Sequence, residues 1–163
     1  IQCASRPGHG TVIEIYLPAA HGVGVAPSTL VGSNRPRGGN ETVLRVDDDD
    51  SLRDLGEQML RLHGYTVISA PDGESALAIY KEHKERIDLV ILDLIMPGMG
   101  GALCLQDLVA INPAVRVLVA SGYSLEGESE KVMESGAAAF LLKPYELHEF
   151  LEAVRQALDG QCC

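Results

Sequence analysis

Asp88-Leu89-Val90-Ile91-Leu92-Asp93-Leu94-Ile95-Met96-Pro97-Gly98 is the stretch on which the fold turns. An unbroken apolar run carries one carboxylate to its C-terminal end, and a Pro-Gly turn follows at once. Such a run reads as a parallel strand buried on both faces that delivers a polar group to the edge of its sheet. Comparable runs lie near 42–47, 65–70, 115–120 and 137–142, and three of them also end on polar groups: Asp47-Asp48, Ser121 and Lys143. Amphipathic segments separate the runs. Leu52, Leu55, Met59 and Leu62 form one stripe at helical spacing, and Leu147, Phe150, Leu151, Val154 and Leu158 form another. His63-Gly64 and Gly136 read as helix ends, and Asp72 as a helix cap.

Five βα units from Glu41 onward predict an α/β fold: a doubly wound five-stranded parallel sheet covered by helices on both faces. Ligands of such sheets bind beyond the carboxyl ends of the strands, where the strand order reverses. Asp47, Asp48, Asp93, Ser121 and Lys143 all fall at that edge. Carboxylates, a hydroxyl and a lysine on separate strand ends are what a metal-assisted aspartyl phosphorylation site needs. Asp93 is the candidate nucleophile, since a carboxylate can take a phosphoryl group as an acyl phosphate. Adjacent carboxylates at Asp47 and Asp48 repel unless a cation sits among them, and hard oxygen donors point to Mg²⁺ rather than zinc. An EF-hand reading fails, because counting from Asp47 puts Leu52 at the turn-glycine position and Gln58 at the closing-glutamate position.

The rest of the chain is less directive. Thr11-Val12-Ile13-Glu14-Ile15-Tyr16 follows the turn Arg6-Pro7-Gly8-His9-Gly10 and reads as a strand of a hairpin, which is marginal alone and predicts a remnant of a larger sheet. Residues 19–40, rich in glycine and small residues without periodicity, read as a flexible linker. The 163 residues allow one domain with an appendage. A net charge of −10 argues against nucleic-acid binding, which wants a basic face. Cys3, Cys104, Cys162 and Cys163 show no CxxC spacing, so the thiols read as incidental in a reduced, cytoplasmic protein. No stretch is long enough to span a bilayer, so this piece makes no direct membrane contact, although a longer parent could be membrane-anchored. The chain starts on Ile1, which predicts a fragment.

From about Glu41 to Gly160 the sequence resembles the receiver domains of two-component response regulators. The resemblance rests on Val46-Asp47-Asp48, on Leu92-Asp93 through Gly101, on Ala120-Ser121-Gly122-Tyr123, and on Phe140-Leu141-Leu142-Lys143-Pro144-Tyr145. It implies a flavodoxin-like (βα)5 fold with strand order 2-1-3-4-5. It also implies phosphorylation of Asp93 from a histidine, with Asp48 a direct Mg²⁺ ligand, Asp47 a ligand mainly through water, and the Ile95 carbonyl completing the set. Ser121 and Lys143 would contact the phosphoryl oxygens, and Phe140 would turn inward as Ser121 moves. Two features depart from the family's pattern. Arg45 places a charge inside the first strand, and Asp49-Asp50 extends the acidic run, which leaves the register of the acidic pair open by one position. Ile95 and Tyr123 are bulky and neither positions water well, so slow dephosphorylation is expected.

Residues 1–18 resemble the last hairpin of a histidine-kinase ATP-binding domain, without its nucleotide-binding elements. The layout implied is hairpin 1–18, linker 19–40, receiver 41–160 and tail 161–163, taken from the C-terminal part of a hybrid histidine kinase. The implied partners are a histidine kinase domain of the same polypeptide and a histidine phosphotransfer protein. Other readings are poorer. A phosphohydrolase with an aspartate nucleophile wants an acid where Ile95 stands, a flavodoxin-like cofactor binder wants a phosphate loop after the first strand, and a degenerate receiver acting as a binding module would have lost one of the site residues.

Overall fold

The computed structural model describes residues 1–16, 37–122 and 128–160. The expected linker up to residue 36, Tyr123 and the terminal Cys162-Cys163 lie outside the described residues. The chain divides into two units, Ile1–Ser33 and Asn34–Cys163.

In the first unit, β1 (Gln2–Arg6) and β2 (Gly10–Glu14) form an antiparallel hairpin, registered from Gln2 opposite Glu14 to Arg6 opposite Gly10. The Ser5 and Thr11 hydroxyls hydrogen-bond across it at 2.8 Å. Every residue of both strands is exposed, including Val12 and Ile13.

The second unit alternates strand and helix without a break: β3 (Thr42–Val46), α1 (Asp50–Leu62), β4 (Thr66–Ala70), α2 (Gly73–His83), β5 (Leu89–Asp93), α3 (Gly100–Ile111), β6 (Val117–Ser121), α4 (Glu128–Glu134), β7 (Ala139–Leu142) and α5 (Leu147–Asp159). All pairings are parallel, in the order β4-β3-β5-β6-β7. Counted from β3 this is 2-1-3-4-5, the order expected from the sequence.

Period-two alternation sorts the strand side chains into two cores. Leu44, Val46, Val90, Leu92, Val117 and Val119 meet α2 and α3 through Leu77, Tyr80, Leu105 and Leu108. Val43, Leu89, Ile91 and Leu118 on the opposite face meet Leu60 of α1 and Phe150, Leu151 and Val154 of α5. The α5 stripe is thus buried apart from Leu147. The α1 stripe is not: Gly56 and Leu60 are that helix's buried residues, while Leu52, Leu55 and Leu62 stay exposed.

Local signals end the helices where the chain chemistry allows. The Asp72 carboxylate accepts from the Ser75 N–H at the start of α2, and Asp49 accepts from the Ser51 and Leu52 N–H groups at the start of α1. At the N-terminal edge of the sheet the incoming segment is clasped. Gly39 N–H donates to the His63 carbonyl, and a β-carbon at Gly38 would lie 2.1 Å from that same oxygen. Arg155 of α5 closes the clasp on Glu41, Tyr65 and Asp159. Buried Cys104 has its thiol pushed up to about 11 by desolvation, which keeps it protonated and inert at neutral pH.

Candidate functional site

β3 lies between β4 and β5, so the chain leaves β3 and β5 toward opposite faces of the sheet. That divergence opens a crevice beyond their carboxyl ends, the place where ligands collect on such sheets. Asp93 is the last residue of β5 and Asp47 follows β3 directly, so both carboxylates reach this crevice. Asp47, Asp48 and Asp93 converge there with carboxylate oxygens within 4.8 Å of one another. Asp47 and Asp93 are buried and Asp48 is exposed.

Lys143 enters from the end of β7, across a cis Lys143-Pro144 bond. Its Nζ donates to Asp93 Oδ2 at 2.6 Å and to Asp47 Oδ2 at 3.2 Å. Burial alone would lower the lysine's pKa, but the hydrogen bond and charge of Asp93, together with the charge of Asp47, outweigh it and hold the ammonium above its ordinary value. The second oxygen of Asp93 accepts from the Ile95 N–H at 3.0 Å. Ser121, buried at the end of β6, stands one strand over, and its carbonyl accepts from the Lys143 N–H at 2.8 Å. Phe140 is partly buried against the α2–α3 side of the core.

The four consecutive aspartates have four different tasks. Asp47 lies at zero exposure and receives the guanidinium of Arg45 at 2.6 Å. Asp48 faces outward at the cluster. Asp49 caps α1, and Asp50 pairs with Arg53. Arg53 also donates to the Asp47 carbonyl at 2.7 Å, which straps the β3–α1 turn from the helix side. The structure thus brings Asp47, Asp48, Asp93 and Lys143 together and keeps Asp49 and Asp50 out of the cluster.

Two contributors escaped the sequence reading. Arg53 has the i,i+3 spacing to Asp50 that a helix would bring together, a signal that was available. Gly101 packs its Cα against the end of β5: a β-carbon there would lie 2.1 Å from the Asp93 carbonyl oxygen and 2.5 Å from Leu94 Cα. Only a glycine lets α3 start this close to the strand that carries Asp93. Beside the crevice, Leu52, Leu55, Gly56 and Met59 of α1 face Pro144 and Tyr145 across a groove of about 410 Å³ that Lys143 also lines.

Asp47, Asp48 and Asp93 offer only hard carboxylate oxygens, a donor type that suits a cation of the Mg²⁺ kind, while Arg45 and Lys143 offset two of their three negative charges. No helix among the described residues is long and apolar enough to cross a membrane.

Comparison with known proteins gives a consistent picture. The family model of the response regulator receiver domain matches residues 43–155. The sensor kinase CckA of Brucella abortus is 31% identical over 168 residues, an alignment that takes in 99% of this chain but only 18% of that kinase. Sporulation initiation phosphotransferase F of Bacillus subtilis is 36% identical over 122 residues, covering 73% of this chain and 94% of the relative. Among solved structures, a CheX-CheY-BeF3-Mg complex from Borrelia burgdorferi matches with a TM-score of 0.70 and 33% identity, over 73% of this chain and 94% of that one. A Vibrio cholerae chemotaxis protein, CheY4, matches with a TM-score of 0.68 and 28% identity, over 74% of this chain and the whole of that one. With a family match over most of its length, the two-core parallel sheet and the acidic crevice at its switch point, this chain belongs to the response regulator receiver domain family.

Proposed function

We propose that the chain is a working phospho-acceptor, in which Asp93 takes a phosphoryl group from a phosphohistidine. The observation that carries the reading is Lys143 bonded to both Asp93 and Asp47 while Asp48 stands open at the crevice mouth. An oxygen of Asp93 attacks phosphorus, the new P–O bond forms as the P–N bond breaks, and the histidine nitrogen leaves with the electron pair. Lys143 stays charged and compensates the phosphoryl oxygens, with the Ser121 hydroxyl as a further donor. Asp47, Asp48, Asp93 and the Ile95 carbonyl would hold Mg²⁺, which supplies charge neutralisation at the transferring group. Ser121 and Phe140 are the residues whose rearrangement would report the phosphorylated state. The bulky Ile95 and Tyr123 make that state slow to hydrolyse, an expectation that decay within seconds would refute.

We further propose that the receiver is the C-terminal part of a hybrid histidine kinase, with the hairpin of residues 1–16 inside the last hairpin (1–18) of its ATP-binding domain and residues 19–40 as the connection. The sensor-kinase alignment over nearly the whole chain supports this layout, as does a hairpin with every strand residue exposed. Donor and acceptor partners would be the kinase domain and a histidine phosphotransfer protein, seated on the apolar groove beside Lys143.

The test is phosphorylation by acetyl phosphate with and without Mg²⁺, read by intact mass, with Asp93→Asn in parallel. A Mg²⁺-dependent gain of one phosphoryl group in the parent and none in the variant is the expected result. A folded parent that gains nothing, from acetyl phosphate or from a phosphorylated kinase, would leave the chain a protein-binding module instead.

A further inference from the structure

Arg45 is the one charged residue of β3, whose other members are Thr42 and the aliphatic Val43, Leu44 and Val46. It sits in β3 between Leu44 and Val46 and is itself 1% exposed. A guanidinium is buried at such a cost only when it is paired. Its partner is Asp47, two residues on along the strand, whose Oδ2 receives Arg45 Nη2 at 2.6 Å and Lys143 Nζ at 3.2 Å. Asp47 Oδ1 accepts from the Asp49 N–H at 3.2 Å, so both oxygens of this carboxylate are oriented by hydrogen bonds. The helix opposite makes room: a β-carbon at Gly56 would come within 3.0 Å of Arg45 Nε. Nε and Nη1 have no hydrogen-bond partner among the described residues, so the guanidinium spends its one good bond on Asp47.

The consequence is one of charge. Three carboxylates faced by Lys143 alone would carry a surplus of two negative charges, matched to a divalent cation. With Arg45 the surplus is one, so a divalent cation by itself over-neutralises the pocket. When Asp93 carries a phosphoryl dianion the balance returns to zero. We infer that Arg45 is a positioning and charge-balancing residue of the phosphorylation pocket, one that fixes Asp47 and makes Mg²⁺ bind weakly until a phosphoryl group is present. This rests on the phospho-acceptor reading. By linkage, the factor by which a phosphoryl group strengthens Mg²⁺ binding is the factor by which Mg²⁺ shifts the phosphorylation equilibrium.

Calorimetric titration of the full chain with Mg²⁺, with and without beryllofluoride as a phosphoryl stand-in, tests the inference on the parent, Arg45→Met and Arg45→Lys. In Arg45→Met the Mg²⁺ affinity without beryllofluoride rises about fivefold or more, as removal of a cation one contact from the cluster requires. The tightening produced by beryllofluoride then becomes smaller than in the parent. Arg45→Lys keeps the charge and stays near the parent. An Arg45→Met chain that melts cooperatively but binds Mg²⁺ equally or more weakly overturns the inference, and so does a lysine variant that behaves like the methionine one. Should Arg45→Met not fold, the parent still decides: beryllofluoride must tighten its Mg²⁺ binding at least tenfold. A parent that takes phosphoryl from acetyl phosphate without that tightening overturns the inference alone. A parent that neither binds Mg²⁺ nor takes phosphoryl brings down the phospho-acceptor reading with it.

Discussion

Replacing Gly101 by Ala probes how tightly the helix after β5 is pressed against the residue that carries the chemistry. The added methyl would sit 2.1 Å from the Asp93 carbonyl oxygen, 2.5 Å from Leu94 Cα and 2.9 Å from the Asp93 carbonyl carbon. All three atoms are backbone, so no side chain can swing aside. Carbon needs about 3.5 Å to a neighbouring heavy atom, so the start of α3 must retreat by roughly 1 Å. That movement stretches the bond from the Gly101 N–H to the Leu94 carbonyl, now 3.1 Å, at a cost of about 1 kcal/mol. Overpacking adds about 1–3 kcal/mol, and the better helix propensity of Ala returns up to about 1 kcal/mol. The net destabilisation is about 1–4 kcal/mol. With a urea slope of about 2 kcal/mol/M for a domain of this size, the unfolding midpoint falls by about 0.5–2 M. Gly122→Ala is the control: no atom of the described residues lies within 4 Å of its β-carbon, and its stability should move by no more than about 0.5 kcal/mol. Phosphoryl uptake by Gly101→Ala should fall as well, because whatever part of the clash β5 absorbs moves Asp93 with its own carbonyl. A Gly101→Ala midpoint indistinguishable from that of Gly122→Ala would refute the close-approach argument.

Three further outcomes are expected. Lys143→Met abolishes or cuts phosphoryl uptake at least tenfold while unfolding stays cooperative, a result read by intact mass and a urea melt. The same substitution reports on pH. The lysine's folded pKa is raised, so its stabilisation is complete below the ordinary value of about 10.4 and is lost only as pH climbs through the folded value; the parent should therefore show an alkaline drop in midpoint that Lys143→Met lacks. Asp72→Ala costs about 1 kcal/mol at pH 7 by removing the cap on α2. Because the Ser75 N–H holds the Asp72 carboxyl below its usual value, that stabilisation is present above the ordinary carboxylate range and fades as pH falls through the folded value; the difference between variant and parent should shrink in acid melts. Tyr80→Phe leaves the Asn112 side-chain amide without the hydroxyl it now donates to at 2.9 Å and lowers stability by about 1 kcal/mol in the same assay.

Strand-ending polar residues were the most legible part of this chain. The run from Leu89 to Asp93 is apolar because both faces of β5 are covered, and that alone announces a central parallel strand. The meeting of Asp47, Asp48 and Asp93 follows from parallel strands sharing one edge, which spacing does convey. Less legible was α1, where the apolar stripe through Leu52 and Leu55 lines an open groove and the buried contacts belong to Gly56 and Leu60. A period of 3.6 marks a face but not what covers it. Arg45 read as a disturbance of the acidic register, yet period-two alternation already puts residues 45 and 47 on one side. What the sequence could not convey was that the interior would accept a guanidinium, because that depends on a glycine in a helix eleven residues later. The closeness of Gly101 to β5 is likewise a matter of backbone approach, which the glycine-rich run Gly98-Met99-Gly100-Gly101 does not by itself convey.

The clasp at the opposite end of the sheet bears on how such a domain is wired. Gly39 N–H bonds the His63 carbonyl, with Gly38 too close to it for a β-carbon, and Arg155 ties the entry of β3 to α5, so the chain enters the sheet at its N-terminal edge. Asp93 lies a full strand away at the other edge, some 15–17 Å along a five-residue strand. Tether and chemistry occupy opposite poles. A partner that docks at the Asp93 edge therefore avoids the residues that fasten the incoming chain to the receiver unit. Entry clasp and pocket are thus separable parts of one sheet, so a substitution at Arg155 acts on the attachment end of the receiver unit and one at Lys143 on its chemistry.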